Sequence, residues 1–273
     1  MPYMKETFVY PGGYEERKYH TWRLGGKKTR RPNERKTDAA VQRGNSRRAK
    51  EQLYRLIVTN FRRDDYRLDL TYGDPPPDRE EAKRRVRNFL RNLHNLYRKN
   101  GEELKYIYVT EYKGHRIHHH VLLNASKKVS RKEIQALWRY GILNYRSFRY
   151  FDGAAEDCRR VAEYFVKETD ETIREEGAVQ RKRWSQSRNL KRPRVKKEKI
   201  YSRHWRENPR GRKGFYIAEE ESGWTQDGYP YQYIRFKQMK GMVKGVSVRE
   251  DDVLRGVRAV QGKKGMVQVR LQL

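Results

Sequence analysis

Arg116-Ile117-His118-His119-His120-Val121-Leu122-Leu123-Asn124 is the stretch on which the fold class turns. Its aliphatic and β-branched run reads as a strand, so alternate side chains point to opposite faces. His118 and His120 then share one face, while His119 goes to the other with Ile117, Val121 and Leu123. Lys105 to Tyr112 reads as a second strand, and the short Lys113-Gly114-His115 connection joins the two as an antiparallel hairpin.

Upstream, Tyr66 to Tyr72 alternates, with Leu68, Leu70 and Tyr72 on one side and Asp69 and Thr71 on the other. Gly73-Asp74-Pro75-Pro76-Pro77 stops that strand. Asp78 followed by Glu81 is a capping-box-like helix start, and Ala82, Val86, Phe89, Leu90, Leu93 and Tyr97 form a buried stripe ending near Asn100-Gly101. An earlier helix starts at Thr37 and lines up Ala49, Leu53, Leu56 and Ile57 before Phe61. Downstream, Ser130 with Glu133 caps a helix running through Trp138 to Gly141; Tyr145 to Phe151 reads as a strand, and 154–176 as a helix.

The order strand, helix, strand, strand, helix, strand, helix predicts an α+β fold. Its antiparallel central sheet has flanking helices, close to the ferredoxin-like split βαβ plan. Residues 1–36 have no clear period and read as a basic N-terminal arm. The domain is expected over 37–237, with a core of about 66–176 and an extension over 177–237 that carries strand-like pieces at Phe215–Glu219 and Tyr229–Lys237. Residues 238–273 form a tail without an assignable role.

Lys and Arg number 65 against 35 Asp and Glu, a net charge of +30. A chain so charged repels itself unless a polyanion is near, which points to nucleic acid. Twenty tyrosines among 12% aromatic residues offer rings on which bases can stack. No basic amphipathic helix with an aromatic apolar face stands out, so a membrane partner is not expected. Cys158 is the single cysteine, which excludes an internal disulfide and suits a reducing compartment. With no apolar signal core and no run of transmembrane length, the expected location is the cytoplasm.

Two imidazoles on one rigid face, His118 and His120, are a natural grip for a divalent cation. The same residues also suit a satisfied core cluster or a basic nucleic-acid surface. If the hairpin register sets Glu111 opposite His118, Val109 faces His120 and Glu111 joins both histidines. Two His and one carboxylate with open positions suit Mn²⁺ or Mg²⁺; the plainer reading pairs Glu111 with Lys113 or Arg116. On the last helix Ala155, Cys158, Val161, Ala162 and Phe165 make the buried stripe. At about 100° per residue Tyr164 falls off its centre, and Lys167 lies roughly 60° beyond Tyr164. A phenol near an ammonium and a divalent ion could attack a phosphate. An ordinary surface tyrosine fits the same spacing.

Leu68-Asp69-Leu70-Thr71-Tyr72, then Glu111 with His118-x-His120, then Tyr164-x-x-Lys167, resemble the three motifs of the HUH endonucleases. More closely they resemble rolling-circle replication initiators of bacterial plasmids and phages that carry one catalytic tyrosine. Asn45-x-Arg47-Arg48-Ala49-Lys50, Arg183-Trp184-Ser185-Gln186-Ser187-Arg188-Asn189-Leu190 and Gly228-Tyr229-Pro230-Tyr231-Gln232-Tyr233 extend the similarity over roughly 40–237. The resemblance implies a metal-dependent nickase. Glu111, His118 and His120 would hold the cation, Tyr164 would attack single-stranded origin DNA to leave a 5′-phosphotyrosine and a 3′-hydroxyl, and Lys167 would be the cationic helper. Thr71, Tyr72, Arg47, Arg48, Arg181, Lys182 and Arg183 are the expected DNA contacts. His119 departs from the family, which has a bulky hydrophobic residue there.

No nucleotide-binding G-x-x-x-x-G-K-[ST] occurs, so a host helicase and a host DNA polymerase are expected partners. A mobilisation relaxase or a single-strand transposase would use the same chemistry. A non-catalytic nucleic-acid-binding protein would need the basic segments and aromatics but not the His118, His120, Tyr164 and Lys167 set.

Overall fold

The computed structural model describes residues 3–21, 39–112, 116–147, 156–170, 182–201, 205, 209–225 and 227–239. The expected helix start at 37, the strand end at 148–151, the helix ends at 154–155 and 171–176, Arg181 and the tail from 240 lie outside them. In chain order the elements are β1 (Tyr3–Tyr10), β2 (Gly13–His20), α1 (Ala39–Asn60), β3 (Tyr66–Thr71), α2 (Arg79–Lys99), β4 (Tyr106–Glu111) and β5 (His118–Leu123). There follow α3 (Arg131–Ala136), β6 (Leu143–Ser147), α4 (Glu156–Asp170), β7 (Ser185–Gln186), β8 (Arg194–Ile200), β9 (Phe215–Trp224) and β10 (Pro230–Gln238).

These elements form two units, one over 33–192 and one made from 1–32 together with 193–273. The first holds the α+β arrangement expected: an antiparallel sheet in the order β6-β3-β5-β4-β7 with helices α1 to α4. Residues Leu68 and Leu70 of β3 and Val121 and Leu123 of β5 meet Val86, Phe89, Leu93 and Tyr97 of α2 in one core. Helix α2 begins where its cap was expected, with the Asp78 side chain accepting the Glu81 N–H at 2.7 Å. Fully burying each of its larger apolar side chains contributes roughly 1.5–3 kcal/mol. Helix α4 packs against β4 and α1.

Helix α3 has the expected capping box, but it ends at Ala136, before the predicted Gly141. The chain turns so that the Trp138 indole N–H can donate to the Thr71 carbonyl at 3.0 Å. Strand β6 therefore starts early, at Leu143, opposite Leu70. Gly141 sits against the backbone of Thr71 and Tyr72, where an added Cβ would collide with the Thr71 carbonyl oxygen. Gly141→Ala should accordingly destabilise this unit by about 1–3 kcal/mol in chemical denaturation, since backbone cannot yield as a side chain can. An unchanged midpoint would mean the turn is not packed as described.

The second unit corrects two expectations. Residues 3–20 are not a loose arm but a hairpin within the sheet β8-β1-β2-β10-β9. The expected extension is also split: Ser185–Gln186 pairs with β4, whereas β8, β9 and β10 belong to this second sheet. Its strands hide their period because several buried positions carry charge. Glu6 and Glu15 are buried, with Glu6 held by Arg17 at 3.2 Å and Lys197 at 2.7 Å, and Glu15 accepting from the Tyr10 hydroxyl at 3.0 Å. Among the described residues a small apolar cluster joins Tyr14, Ile234 and Phe236, with Phe215 and Ile217 against them. No helix among the described residues is long and apolar enough to cross a membrane.

Candidate active site

The β4–β5 register sets Glu111 opposite His118 and Val109 opposite His120, as alternation requires if the three polar side chains are to share a face. Strand β3 adds Asp69 opposite His120 and Thr71 opposite His118. This polar face is turned toward α4, and the α2 core lies on the other.

His120 is the hub. Its Nδ1–H donates to Asp69 Oδ1 at 2.7 Å, and its Nε2 lies 3.1 Å from Glu111 Oε2. From α4 the Tyr164 hydroxyl enters between them, 2.9 Å from Glu111 Oε2 and 3.0 Å from His120 Nε2. The two rings stand edge to face with centroids 5.0 Å apart. Asp69 Oδ2 accepts from the Arg146 Nε–H, and Arg67 stands over the Tyr164 ring with Cζ 5.4 Å from its centroid.

Burial pushes the Asp69 carboxyl up, but hydrogen bonds from His120 and Arg146 and nearby positive charge outweigh it and hold the group at about 2. Burial also raises Glu111, yet its bonds with His120, Tyr164 and Glu168 leave it below the ordinary carboxylate value. Tyr164 is pushed well above a free phenol by burial first, then by its bond to Glu111 and the charges of Glu111 and Glu168. In this arrangement the nucleophile candidate is stored as the neutral phenol.

With Nδ1–H given to Asp69, the lone pair of His120 Nε2 faces Glu111 Oε2, and one phenol proton serves both acceptors. Such a pair suits a cation better than a second acceptor. His118 is on the same face, half-buried, and its ring makes no hydrogen bond to a described residue. By donor chemistry the His118, His120 and Glu111 set fits a divalent ion. The three do not converge on one point, and among the described residues no group of three or more His, Cys, Asp or Glu does so.

Other expected site residues divide. Lys167 is exposed on α4, one turn beyond Tyr164, without a contact to the site among the described residues. Thr71 closes β3, half-buried, with its N–H donated to Ile142 O at 2.9 Å. Tyr72, expected at the DNA, lies on the opposite face: its hydroxyl is 2.7 Å from His119 Nε2 and donates to Ala82 O at 3.1 Å. Arg183, also an expected DNA contact, pairs with Asp170 at 2.6 Å and donates to Ser46 at 3.3 Å, tying the end of α4 to α1. Arg47 is half-buried beside Glu51 at 3.3 Å, Arg48 and Lys182 are exposed, and Arg181 lies outside the described residues.

His119 is the departure from pattern, and it points into the core. It is fully buried between the Tyr72 hydroxyl and Thr110 Oγ1, which is 2.9 Å from Nδ1, with Trp138 beside it. Burial, then the neighbouring histidine charges, push its imidazole down to about 3. The residues around the site that sequence reasoning did not name as part of it are Asp69, Arg67, Arg146 and the buried Glu168, which bonds to Glu111. Asp69 had a signal, as a carboxylate on the polar side of a strand; Glu168 had one as the residue four beyond Tyr164.

Residues 65–172 match the model of a family described as Replication-associated protein ORF2/G2P. The match covers less than half of the chain but includes β3 through α4, and hence every side chain of the site above. Over that stretch the chain is similar to replication-associated proteins of a rolling-circle initiator type. No curated protein and no solved structure matches it.

Proposed function

We propose that this chain is a rolling-circle replication initiator that nicks single-stranded origin DNA by transesterification, with Tyr164 as the nucleophile. What carries the reading is one convergence: the Tyr164 hydroxyl meets Glu111 and His120 at 2.9 and 3.0 Å although the three residues come from different elements. A tyrosine that served only packing or a basic surface has no reason to sit there. The family match over the same residues supports a replication role.

Glu111, His118 and His120 would hold Mg²⁺ or Mn²⁺, which when bound would draw charge from the phosphate and offset charge on the phenol oxygen. Asp69 holds the His120 ring so that Nε2 faces the site. Tyr164 presents its oxygen to the phosphorus. As the bond from that oxygen to phosphorus forms, the bond from phosphorus to the DNA 3′ oxygen breaks. The proton lost by the phenol is balanced by the one the 3′ oxygen gains, leaving a 3′-hydroxyl for a host polymerase and the 5′ end on Tyr164. One phosphate ester replaces another, so the reverse step rejoins ends. Lys167 is exposed and one turn from Tyr164, with a stem that can swing to the phosphoryl oxygens.

The test is to incubate the protein with single-stranded DNA from its replicon and Mn²⁺ or Mg²⁺, then map the modified peptide. Phosphate on the Tyr164 peptide, lost with chelator, is expected. Phosphate on Tyr140, Tyr145 or Tyr150, or an adduct indifferent to chelator, overturns the assignment. Asp69→Asn should slow adduct formation by about 10–100-fold, because a neutral amide no longer fixes the His120 ring. Initial rates on denaturing gels check this, and a rate within twofold of the parent would remove Asp69 from the mechanism.

A further inference from the structure

We propose that Arg67, flanked by Arg146, forms an anion site beside Tyr164 that takes a non-bridging oxygen of the scissile phosphodiester. This rests on the nicking reading and names the group that would receive the substrate's charge.

Strand β3 presents Arg67 and Asp69 on the same face, and β6 sets Arg146 directly opposite Arg67. The single carboxylate between them is fully engaged: Oδ1 accepts from His120 and Oδ2 from Arg146. Arg67 Nε lies 3.8 Å from Asp69 Oδ1, beyond hydrogen-bond reach. That Nε is shielded from water and has no hydrogen-bond partner, while its guanidinium stands over the Tyr164 ring. A buried donor left unpaired is unfavourable, and such groups in native structures point to a missing partner. Arg67 and Arg146 bring two positive charges to the surroundings of the phenol, which also hold Asp69, Glu111 and Glu168. The planar fork of arginine matches an oxyanion with two adjacent oxygens better than a point charge does. The oxyanion that must come to this phenol is the phosphodiester.

Lys167 on α4 is exposed and has no contact with the site among the described residues, whereas Arg67 is already in position on a rigid strand. Arg67 therefore needs only a local shift of its guanidinium to bring the shielded Nε to a phosphate oxygen.

The full chain carrying a fluorinated tyrosine at position 164 gives a local readout, with inorganic phosphate as the probe and chelator present to exclude cations. Phosphate should shift the fluorine resonance along a saturable curve. Arg67→Gln should raise the half-saturating concentration at least about tenfold, as loss of a charge-assisted hydrogen bond implies. Arg67→Lys, which keeps the charge but loses the fork, should raise it by about threefold or more and serves if the glutamine variant does not fold. No saturable shift in the parent protein, or an unchanged half-saturation in either variant, overturns the site. Adduct formation is scored separately: phosphate capture through Arg67 without a Tyr164 adduct would sink the nicking reading and leave the anion site standing.

Discussion

Tyr164→Phe is expected to lower covalent adduct formation by more than about a thousandfold, because it removes the attacking atom itself. The change deletes one oxygen and leaves the ring. The loss should therefore appear in the adduct band on a denaturing gel and not in the fold. Glu111 Oε2 and His120 Nε2 both lose the phenol proton they share, but the half-buried site admits water, which can donate to each in its place. Stability should change by no more than about 1 kcal/mol. The direction of the phenol's shift sharpens the expectation. Burial and the nearby carboxylates hold Tyr164 neutral, well above the range of a free phenol. Chelator should therefore silence the parent protein almost as completely as the mutation does, since nothing then offsets the charge of a phenolate. An adduct in Tyr164→Phe within tenfold of the parent would mean that the residue at the centre of the site is a bystander.

The parts of the molecule legible in sequence are those where one face is apolar. The β4–β5 hairpin could be recognised from alternation and a short connection, while its register, Glu111 opposite His118, is an assumption that the strand pairing then bears out. Helix α2 could be bounded because Asp78 and Asn100 flank an unbroken apolar stripe. The second sheet failed that test. In β1 and β2 several buried positions are Glu6, Glu15 and tyrosines, and Glu6 is neutralised by Arg17 and by Lys197, the latter far along the chain. Local hydropathy carries no trace of such a pairing. The site behaved in the same way. Glu111, His118 and His120 stand in a local strand pattern, whereas Tyr164 is singled out by the resemblance of Tyr164-x-x-Lys167 to a family motif, since its spacing alone also fits a surface tyrosine. Asp69 shows locally only as a carboxylate on the polar side of a strand; its link to His120, and the place of Arg67 and Arg146, follow only when β3 lies between β5 and β6. Tyr72 and Arg183 have partners that the sequence does not show, for the converse reason. Each is polar or basic near a motif, but tertiary partners in the core and at the α1–α4 contact engage it.

His119 and His120 are neighbours on one strand, and replacing each should produce opposite phenotypes. His120→Ala removes a cation ligand and the partner of Tyr164. Adduct formation should fall by more than about a hundredfold, since even the partners behind a metal ligand are worth about 10–100-fold. Arg146 still holds Asp69, so the fold should persist. His119→Ala opens a cavity beside Trp138 and unpairs Thr110 Oγ1 in a closed core, which should lower stability by about 2–4 kcal/mol. Well below its unfolding midpoint, that variant should still form the adduct. Titration separates them further. The folded His119 imidazole is held down to about 3 against an ordinary 6.5, so the unfolded chain binds the extra proton first. The stability this gives is complete above pH 6.5 and is lost as pH falls toward 3, at up to about 1.4 kcal/mol per pH unit. Asp69, lowered from 3.8 to about 2, acts in the same direction but only below pH 4, which leaves pH 5–6.5 as a window where it is silent. Denaturation midpoints of the parent should therefore fall between pH 6.5 and 5, and His119→Gln should flatten that slope. Were His119→Ala to abolish the adduct in a folded protein, or His120→Ala to leave it intact, the two histidines would have been set on the wrong faces and the cation proposal would fail with them.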